Sequence, residues 1–304
     1  MKNAIIDLGT NTFHLMIVEN QKVLFKTSKA AKIGMGGINA GVITEEGIQR
    51  ALGVLGEFKS KITEFEVAPE NVHAFGTSAV RNAGNQAEFL ERVKAETGIV
   101  INVIDGKEEA ELIYQGVKQA VTIEHPSLIV DIGGGSVEFI ICNAEKVLWL
   151  QSFEIGGQRL LERFMKKDPI PTSEINRLEE YLRETLLPLT NAVHQYSPKI
   201  LIGSSGSFDT LNDMFFWRNR GDFAPHEIHG FEYPIEEFAH AYELIVFANH
   251  EERSKIGGMI PLRVDMMVVA TILIKFLLQT YHIAQIKISN FALKEGVMAK
   301  IENA

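Results

Sequence analysis

An α/β fold made twice over, each copy a βββαβαβα unit, is what the sequence predicts. Three paired stretches in one order carry the prediction. "AIIDLGTNTFHL" near the start and "LIVDIGGGSVEF" at 128–139 align without a gap, so that Ile5, Ile6, Asp7 and Gly9 fall opposite Ile129, Val130, Asp131 and Gly133. At the same offset of 124 residues, Lys22, Val23 and Leu24 meet Lys146, Val147 and Leu148, and Ser28 meets Ser152. Further on, "VHAFGTSAV" pairs with "ILIGSSGSF", and "IVINVIDGKEEAELI" with "QIKISNFALKEGVM", each of the latter a strand followed by a helix start.

The elements follow in order. Each half opens with two apolar runs joined by a polar, glycine-bearing turn, and a third strand after a short turn. "KIGMGG" (32–37) then resembles "EIGGQR" (154–159). "TEEGIQRALGVLGEFKSKI" reads as a helix with Thr44 at its N-cap and Gly47 in its first turn. "NQAEFLERVKAETG" is a helix ending on Gly98. The second half adds helical inserts. One, from "PTSEINRLEEYLRETLLPLTNAV", carries a capping signature at Ser173 and Asn176. The most apolar stretch, 266–283, is interrupted by Lys275, is shorter than a membrane span of about 20 apolar residues, and reads as a buried helix. Polar residues and Pro126 within 122–127 suggest a boundary, giving lobes 1–124 and 125–304, with the last helix placed to pack back on the first lobe.

Composition narrows the function classes. The chain has 304 residues and a formal charge of -9, which suits two domains and argues against general nucleic-acid binding. It does not exclude a polyanionic ligand met by local cations. The one cysteine, Cys142, lies in an apolar run and reads as a core residue. It excludes a disulfide within the chain and points to a reducing, cytoplasmic home. Aspartate at position 7 comes too early for a signal peptide, and no membrane association is expected.

A turn with several glycines brings backbone N–H groups close to a ligand and forms an anion-binding concavity. An aspartate beside it would repel a bare phosphate but suits a bridging divalent cation. Magnesium takes few carboxylates and often bridges to phosphate. Asp7 and Asp131 are therefore candidate metal acids. Gly9, Thr10, Asn11 and Thr12, with Gly133, Gly134, Gly135 and Ser136, are candidate phosphate cradles, joined by Gly206 and Ser207 after the later strand. After "DIGGGS" the chain continues as a strand, so a dinucleotide fingerprint does not fit. Glu108, Glu109 and Glu111 crowd a helix start, where they suit the helix dipole. Their mutual repulsion can also raise a pKa and favour a general base. Arg81, after a Gly-Thr-Ser turn, is a candidate phosphate-binding arginine. His14 reads as structural, no histidine pair has metal-ligand spacing, and "GSSGS" lacks a hydrolase nucleophile elbow.

Together "AIIDLGTNTFHL", "GTSAVRNAGN", "IDGKEEAELI", "IVDIGGGSVEF", "LIGSSGS" and "SNFALKEGV" resemble the exopolyphosphatase and guanosine pentaphosphate phosphohydrolase (Ppx/GppA) family of the actin-like ATPase superfamily, in its short two-domain form. The resemblance implies two actin-like (ribonuclease H-like) lobes around a cleft. It implies magnesium-dependent release of a terminal phosphate from polyphosphate or guanosine pentaphosphate. Glu109 maps to the proposed base, with Glu108 in reserve; the glycine turns grip the terminal phosphate and Arg81 helps bind it. Arg81, Lys29, Lys32, Arg159, Arg163, Lys166, Lys167 and Lys294 are candidates for a basic track along inner phosphates. The resemblance also allows a homodimer. Departures include Val137, which removes a hydroxyl from the phosphate turn, and Ala292-Leu293-Lys294-Glu295-Gly296, where the family has Gly-Leu-Arg-Glu-Gly. Two rival readings stand beside it: a kinase or ATPase on the same fold, and a non-catalytic polyphosphate or alarmone sensor.

Overall fold

The computed structural model describes every residue except Gln21, His226, Asn303 and Ala304. It divides into two compact units, residues 1–116 with 293–304, and residues 117–292. The division differs from the expected 124/125, because helix α4 (Gly106–Ala120) runs past the boundary without a break. Its last turn belongs to the second unit, where a Cβ on Gly230 would lie 2.3 Å from the Ala120 carbonyl oxygen.

Unit 1 carries β1 (Lys2–Leu8), β2 (Thr12–Glu19), β3 (Lys22–Ala30), β4 (Val72–Gly76) and β5 (Ile101–Val103) in the order β3-β2-β1-β4-β5. The first three strands are antiparallel; β1, β4 and β5 are parallel. Central β1 buries Ala4, Ile5, Ile6 and Leu8 on both faces, as its apolar core requires. Edge strand β3 is largely exposed and carries Lys22, Lys26 and Lys29, charges that discourage pairing with another chain. Helix α1 (Glu45–Glu64) packs Ile48, Ala51, Leu55, Phe58 and Ile62 against Ile6, Leu8, Leu15 and Ile17. Each of the isoleucine, leucine and phenylalanine side chains contributes about 1.5–3 kcal/mol when fully buried. Thr44 caps α1 by accepting the Gly47 N–H at 3.1 Å. Helices α2 (Ser78–Arg81) and α3 (Gln86–Thr97) follow β4, and α3 ends on left-handed Gly98. The terminal helix α12 (Leu293–Glu302) packs on β1. It lies against α4 so closely that a Cβ on Gly296 would sit 1.8 Å from the Leu112 carbonyl oxygen.

Unit 2 repeats the plan. Strands β6 (Ser127–Ile132), β7 (Val137–Cys142), β8 (Val147–Phe153), β9 (Ile200–Ser204) and β11 (Gln285–Ser289) lie in the order β8-β7-β6-β9-β11, with the same senses as their counterparts. A short strand that the sequence did not announce, β10 (Gly230–Tyr233), pairs antiparallel with β11 at the sheet edge. The inserts are α5 (Gly157–Phe164), α6 (Thr172–Thr185), α7 (Leu187–Tyr196), α8 (Gly206–Arg220), α9 (Ile235–Val246), α10 (His250–Ser254) and α11 (Met266–Thr280). Helix α11 is the buried apolar helix expected, with Lys275 leaving it over the Tyr242 ring at 4.3 Å. No helix among the described residues is long and apolar enough to cross a membrane. Ser173 does not cap α6. The Pro171 carbonyl already accepts the N–H groups of Glu174 and Ile175, so the helix starts earlier and Ser173 lies inside its first turn. Cys142 is buried, and burial pushes its thiol up to about 12.

One buried charge ties the inserts together. Arg253 on α10 is 0% exposed. It donates to the carbonyls of Val264 and Ala248, and pairs with Asp265 and Asp168 at 2.8 Å each. Asp168 also accepts the His250 N–H at 2.6 Å, and Asp265 meets His250 Nδ1 at 2.8 Å.

Candidate functional site

In unit 1 the β1–β2 turn is Gly9–Thr12. A Cβ on Gly9 would lie 2.9 Å from the Thr12 carbonyl oxygen, so the turn closes only without a side chain there. The Thr10 carbonyl accepts the Gly34 N–H at 3.1 Å. The Asn11 carbonyl accepts those of Ala31 and Lys32 at 3.0 and 2.9 Å. Thr10 and Asn11 are buried, and Thr77 at the end of β4 donates to the Leu8 carbonyl at 3.2 Å. Asp7 sits opposite His14 on β2 and beside Phe75 on β4.

The glutamates at the start of α4 separate cleanly. Glu109 is 7% exposed and accepts from Arg81 at 2.7 Å; the same Arg81 nitrogen donates to the Ile104 carbonyl at 3.1 Å. Glu108 meets Lys300 at 3.3 Å and Glu111 meets Lys107 at 3.8 Å, both partly or fully exposed. Each acid has its own cation, so the mutual repulsion expected from their spacing is not the governing interaction. Asp105 caps the helix. The hydrogen bond from the Glu108 N–H, joined by that from Lys107, holds its carboxyl below the usual carboxylate range against a smaller opposing effect of burial.

Unit 2 builds its turn by the same logic. The Gly133 N–H closes the turn onto the Ser136 carbonyl at 3.1 Å. The carbonyls of Gly133, Gly134 and Gly135 accept the N–H groups of Gly157, Gln158 and Gly156 at 2.8, 2.9 and 3.1 Å. These donors are at the start of α5, where a helix has N–H groups without intrahelical partners. Arg159 Nε adds a bond to Gly135 at 2.8 Å. A Cβ on Gly156 would lie 2.4–2.5 Å from Gly134 and Gly135. With the carbonyls taken, no hydrogen bond among the described residues occupies the N–H of Gly134 or Gly135. Such N–H groups are suited to an anion. Residues 32–37 and 154–159, alike in sequence, thus do the same work of pinning a turn's carbonyls.

Asp131, 7% exposed, sits opposite Glu138 on β7 and accepts from Ser204 on β9 at 2.7 Å. Glu138 is 1% exposed and accepts from Ser152 at 2.7 Å. It occupies the place of His14 in unit 1, which meets Ser28 at 2.7 Å. The sequence pointed to Glu138 only as that counterpart, although the 124-residue register already set it opposite Asp131. Two neighbouring buried carboxylates and a hydroxyl are hard oxygen ligands of the kind magnesium accepts. No cluster of three or more His, Cys, Asp or Glu forms among the described residues.

Gly206 and Ser207, both buried, begin α8. Ser205 before them has φ 69° and ψ 176°, a region essentially reserved for glycine. A second residue that no motif flagged, Arg263, lays its guanidinium over Gly206, where a Cβ would be 1.4–1.6 Å from it. Burial lowers its pKa while Asp209, Asp213 and Asp131 oppose that shift; a guanidinium remains charged at neutral pH. Among the described residues its guanidinium makes no hydrogen bond, which leaves its donors for an anion. Residues 257–263 run along α8 in the opposite sense, with Gly257 on Trp217, Gly258 on Asp213 and Arg263 on Gly206.

Val137 corrects an expectation. It is fully buried on β7 within the apolar core rather than in the phosphate turn, so its missing hydroxyl removes nothing from the cradle. Of the candidate basic track, Lys29 pairs with Glu57 at 2.9 Å and Arg159 with Glu154 at 2.8 Å. Arg163 stacks over Tyr181 at 4.1 Å, Lys166 bonds the Glu162 carbonyl, and Lys294 is buried.

Comparison with known proteins places the chain among relatives. The chain is 42% identical to an exopolyphosphatase from Cytophaga hutchinsonii, covering 100% of this chain and 98% of that one with a TM-score of 0.96. It is 27% identical over 303 residues to a putative exopolyphosphatase of Haemophilus influenzae, covering 98% of this chain and 91% of the relative. It is 29% identical over 227 residues to a guanosine-5'-triphosphate,3'-diphosphate pyrophosphatase of Vibrio atlanticus, covering 73% of this chain but 45% of the relative; the chain spans less than half of that protein's length. The model of the Ppx/GppA phosphatase family matches residues 15–304, and the chain belongs to that family.

Proposed function

We propose that the protein is an exopolyphosphatase that hydrolyses the terminal phosphate of inorganic polyphosphate with magnesium. The observation that carries the reading is the buried Glu109 carboxylate fixed by Arg81 at 2.7 Å, a rigid acceptor at the start of α4. The likeness to the Cytophaga exopolyphosphatase, which extends over the whole chain at 42% identity, supports polyphosphate as substrate. Guanosine pentaphosphate is the second reading, favoured by the Vibrio relative's name.

In this mechanism the N–H groups of the Gly133–Ser136 turn and the Arg263 guanidinium bind phosphate oxygens in unit 2, and the Gly9–Thr12 turn is the corresponding phosphate cradle of unit 1. Asp131 and Glu138 would hold the magnesium ion, and Asp7 is the corresponding candidate acid of unit 1. That ion offsets phosphate charge when bound. Glu109 accepts a hydrogen bond from a water and orients its oxygen toward the terminal phosphorus. As the new P–O bond forms, the P–O bond to the chain breaks; the shortened chain leaves as an oxyanion and the water's proton passes to the carboxylate. Positioning and electrostatic stabilisation do most of such catalysis.

The test is free-phosphate release from polyphosphate, guanosine pentaphosphate or ATP with magnesium. Polyphosphate should be fastest. Glu109→Gln should lower the rate by about 10²–10⁴-fold, the usual worth of a general base, and Glu108→Gln should leave it near wild type. A Glu109→Gln protein at wild-type rate removes the base assignment. Release from ATP alone would favour the kinase or ATPase reading, and tight binding without release a sensor.

A further inference from the structure

The first half of α8 serves the phosphate turn; its other end does something else. Eleven residues beyond Gly206, about 16 Å along the helix, a pocket of ≈ 380 Å³ opens between α8, β10, α9 and residues 256–257. That volume falls within the range of small-molecule sites. Phe215, Trp217, Leu244 and Ile256 line it. The Trp217 wall is fixed. Phe223 packs edge-on at 5.1 Å, and the indole lies so close to the Gly257 backbone that a Cβ there would be 1.8 Å away.

Two polar groups converge on this apolar space. Arg218 meets Glu237 at 3.0 Å, so the acid is already matched, while a guanidinium has five donors to place. Tyr233 is 4% exposed and its hydroxyl makes no hydrogen bond among the described residues. Burial, with the Glu237 charge adding to it, pushes that phenol up and keeps it protonated. Both groups are donors: Arg218 has the one acceptor Glu237 for its five N–H groups, and the Tyr233 hydroxyl has none among the described residues. We propose that this pocket binds a planar aromatic acid, its ring among Phe215, Trp217 and Leu244 and its carboxylate or sulfonate accepting from Arg218 and Tyr233.

The two tryptophans are Trp149 and Trp217, so Trp149→Phe leaves Trp217 as the reporter. In that background 8-anilinonaphthalene-1-sulfonate should bind saturably at one site and quench Trp217 by energy transfer. Leu244→Glu, at an exposed position on α9, should abolish the quenching with the circular dichroism spectrum unchanged. Arg218→Ala and Tyr233→Phe should each weaken the sulfonate probe by roughly tenfold, the scale of a charge-assisted hydrogen bond, and change neutral N-phenyl-1-naphthylamine by less than about twofold. Non-saturable binding, or quenching that survives Leu244→Glu, overturns the site. Equal weakening of both probes overturns the acid assignment.

Discussion

Replacing Arg253 with methionine is the sharpest test of what holds unit 2 together. Methionine keeps most of the volume and adapts to irregular space, so the change isolates the guanidinium. It removes two charge-assisted pairs, to Asp168 and Asp265, and two hydrogen bonds to carbonyls. Breaking a buried pair from one side costs about 3–5 kcal/mol. The two carboxylates are 32% and 41% exposed, so water screens what is left, and the lower end, ~3 kcal/mol, is expected. The loss should depend on pH. Burial pushes the Asp265 carboxyl up, but the hydrogen bonds from His250 and Arg253 outweigh it and hold the group below its ordinary value. A depressed folded-state pKa contributes stability that is present above the unfolded value, about 4, and disappears as pH falls through the folded one. The deficit of Arg253→Met should therefore be full at pH 7 and shrink in strong acid. Both tryptophans lie in unit 2, so urea unfolding followed by their fluorescence reads this unit. A loss under about 1 kcal/mol at pH 7, or one equal in acid, would refute the assignment of a charged clamp.

Three further outcomes follow from single positions. Val137→Thr should leave phosphate release unchanged and cost about 1–3 kcal/mol in urea unfolding, because it buries a hydroxyl in an apolar cluster. Ser205→Gly should raise stability by ~1 kcal/mol, relief of a strained backbone exceeding the entropy that glycine adds to the unfolded chain. Gly296→Ala should drive α12 off α4, since the added carbon falls 1.8 Å from the Leu112 carbonyl oxygen; the expected readout is new proteolytic cleavage near the start of α12 and a loss of about 1–3 kcal/mol.

The duplicated strand plan was legible because it rests on local signals repeated at one offset. Apolar runs bounded by turn residues mark the paired strands, and Asp7 and Asp131 fall at matching places in matching registers. The Thr44 cap and the Gly98 stop are equally local. What escaped was set at long range or on a small scale. Strand β10 has four residues and, among the described residues, gains its pairing from β11. The Ser173 signature lost to a carbonyl two residues earlier. Arg263 reaches Gly206 across 57 residues, and no local pattern encodes that approach.

The two glycine turns show how close a motif can come to its own explanation. A phosphate cradle needs two things: no side chain in the way, and a partner for each carbonyl so that the N–H groups are left for the ligand. The glycines of the Gly133–Ser136 turn state the first need openly. The second is met by residues 154–159 and, in the other unit, by 31–34, where backbone N–H groups do most of the bonding and side-chain identity hardly matters. What such a segment must keep is the ability to come close, and Gly34 and Gly156 are where added carbons would collide with the turns they serve. A glycine turn that lacks a second glycine segment to engage its carbonyls is therefore expected to remain an ordinary hairpin, and the pairing of the two segments is a better mark of this cradle than the turn alone.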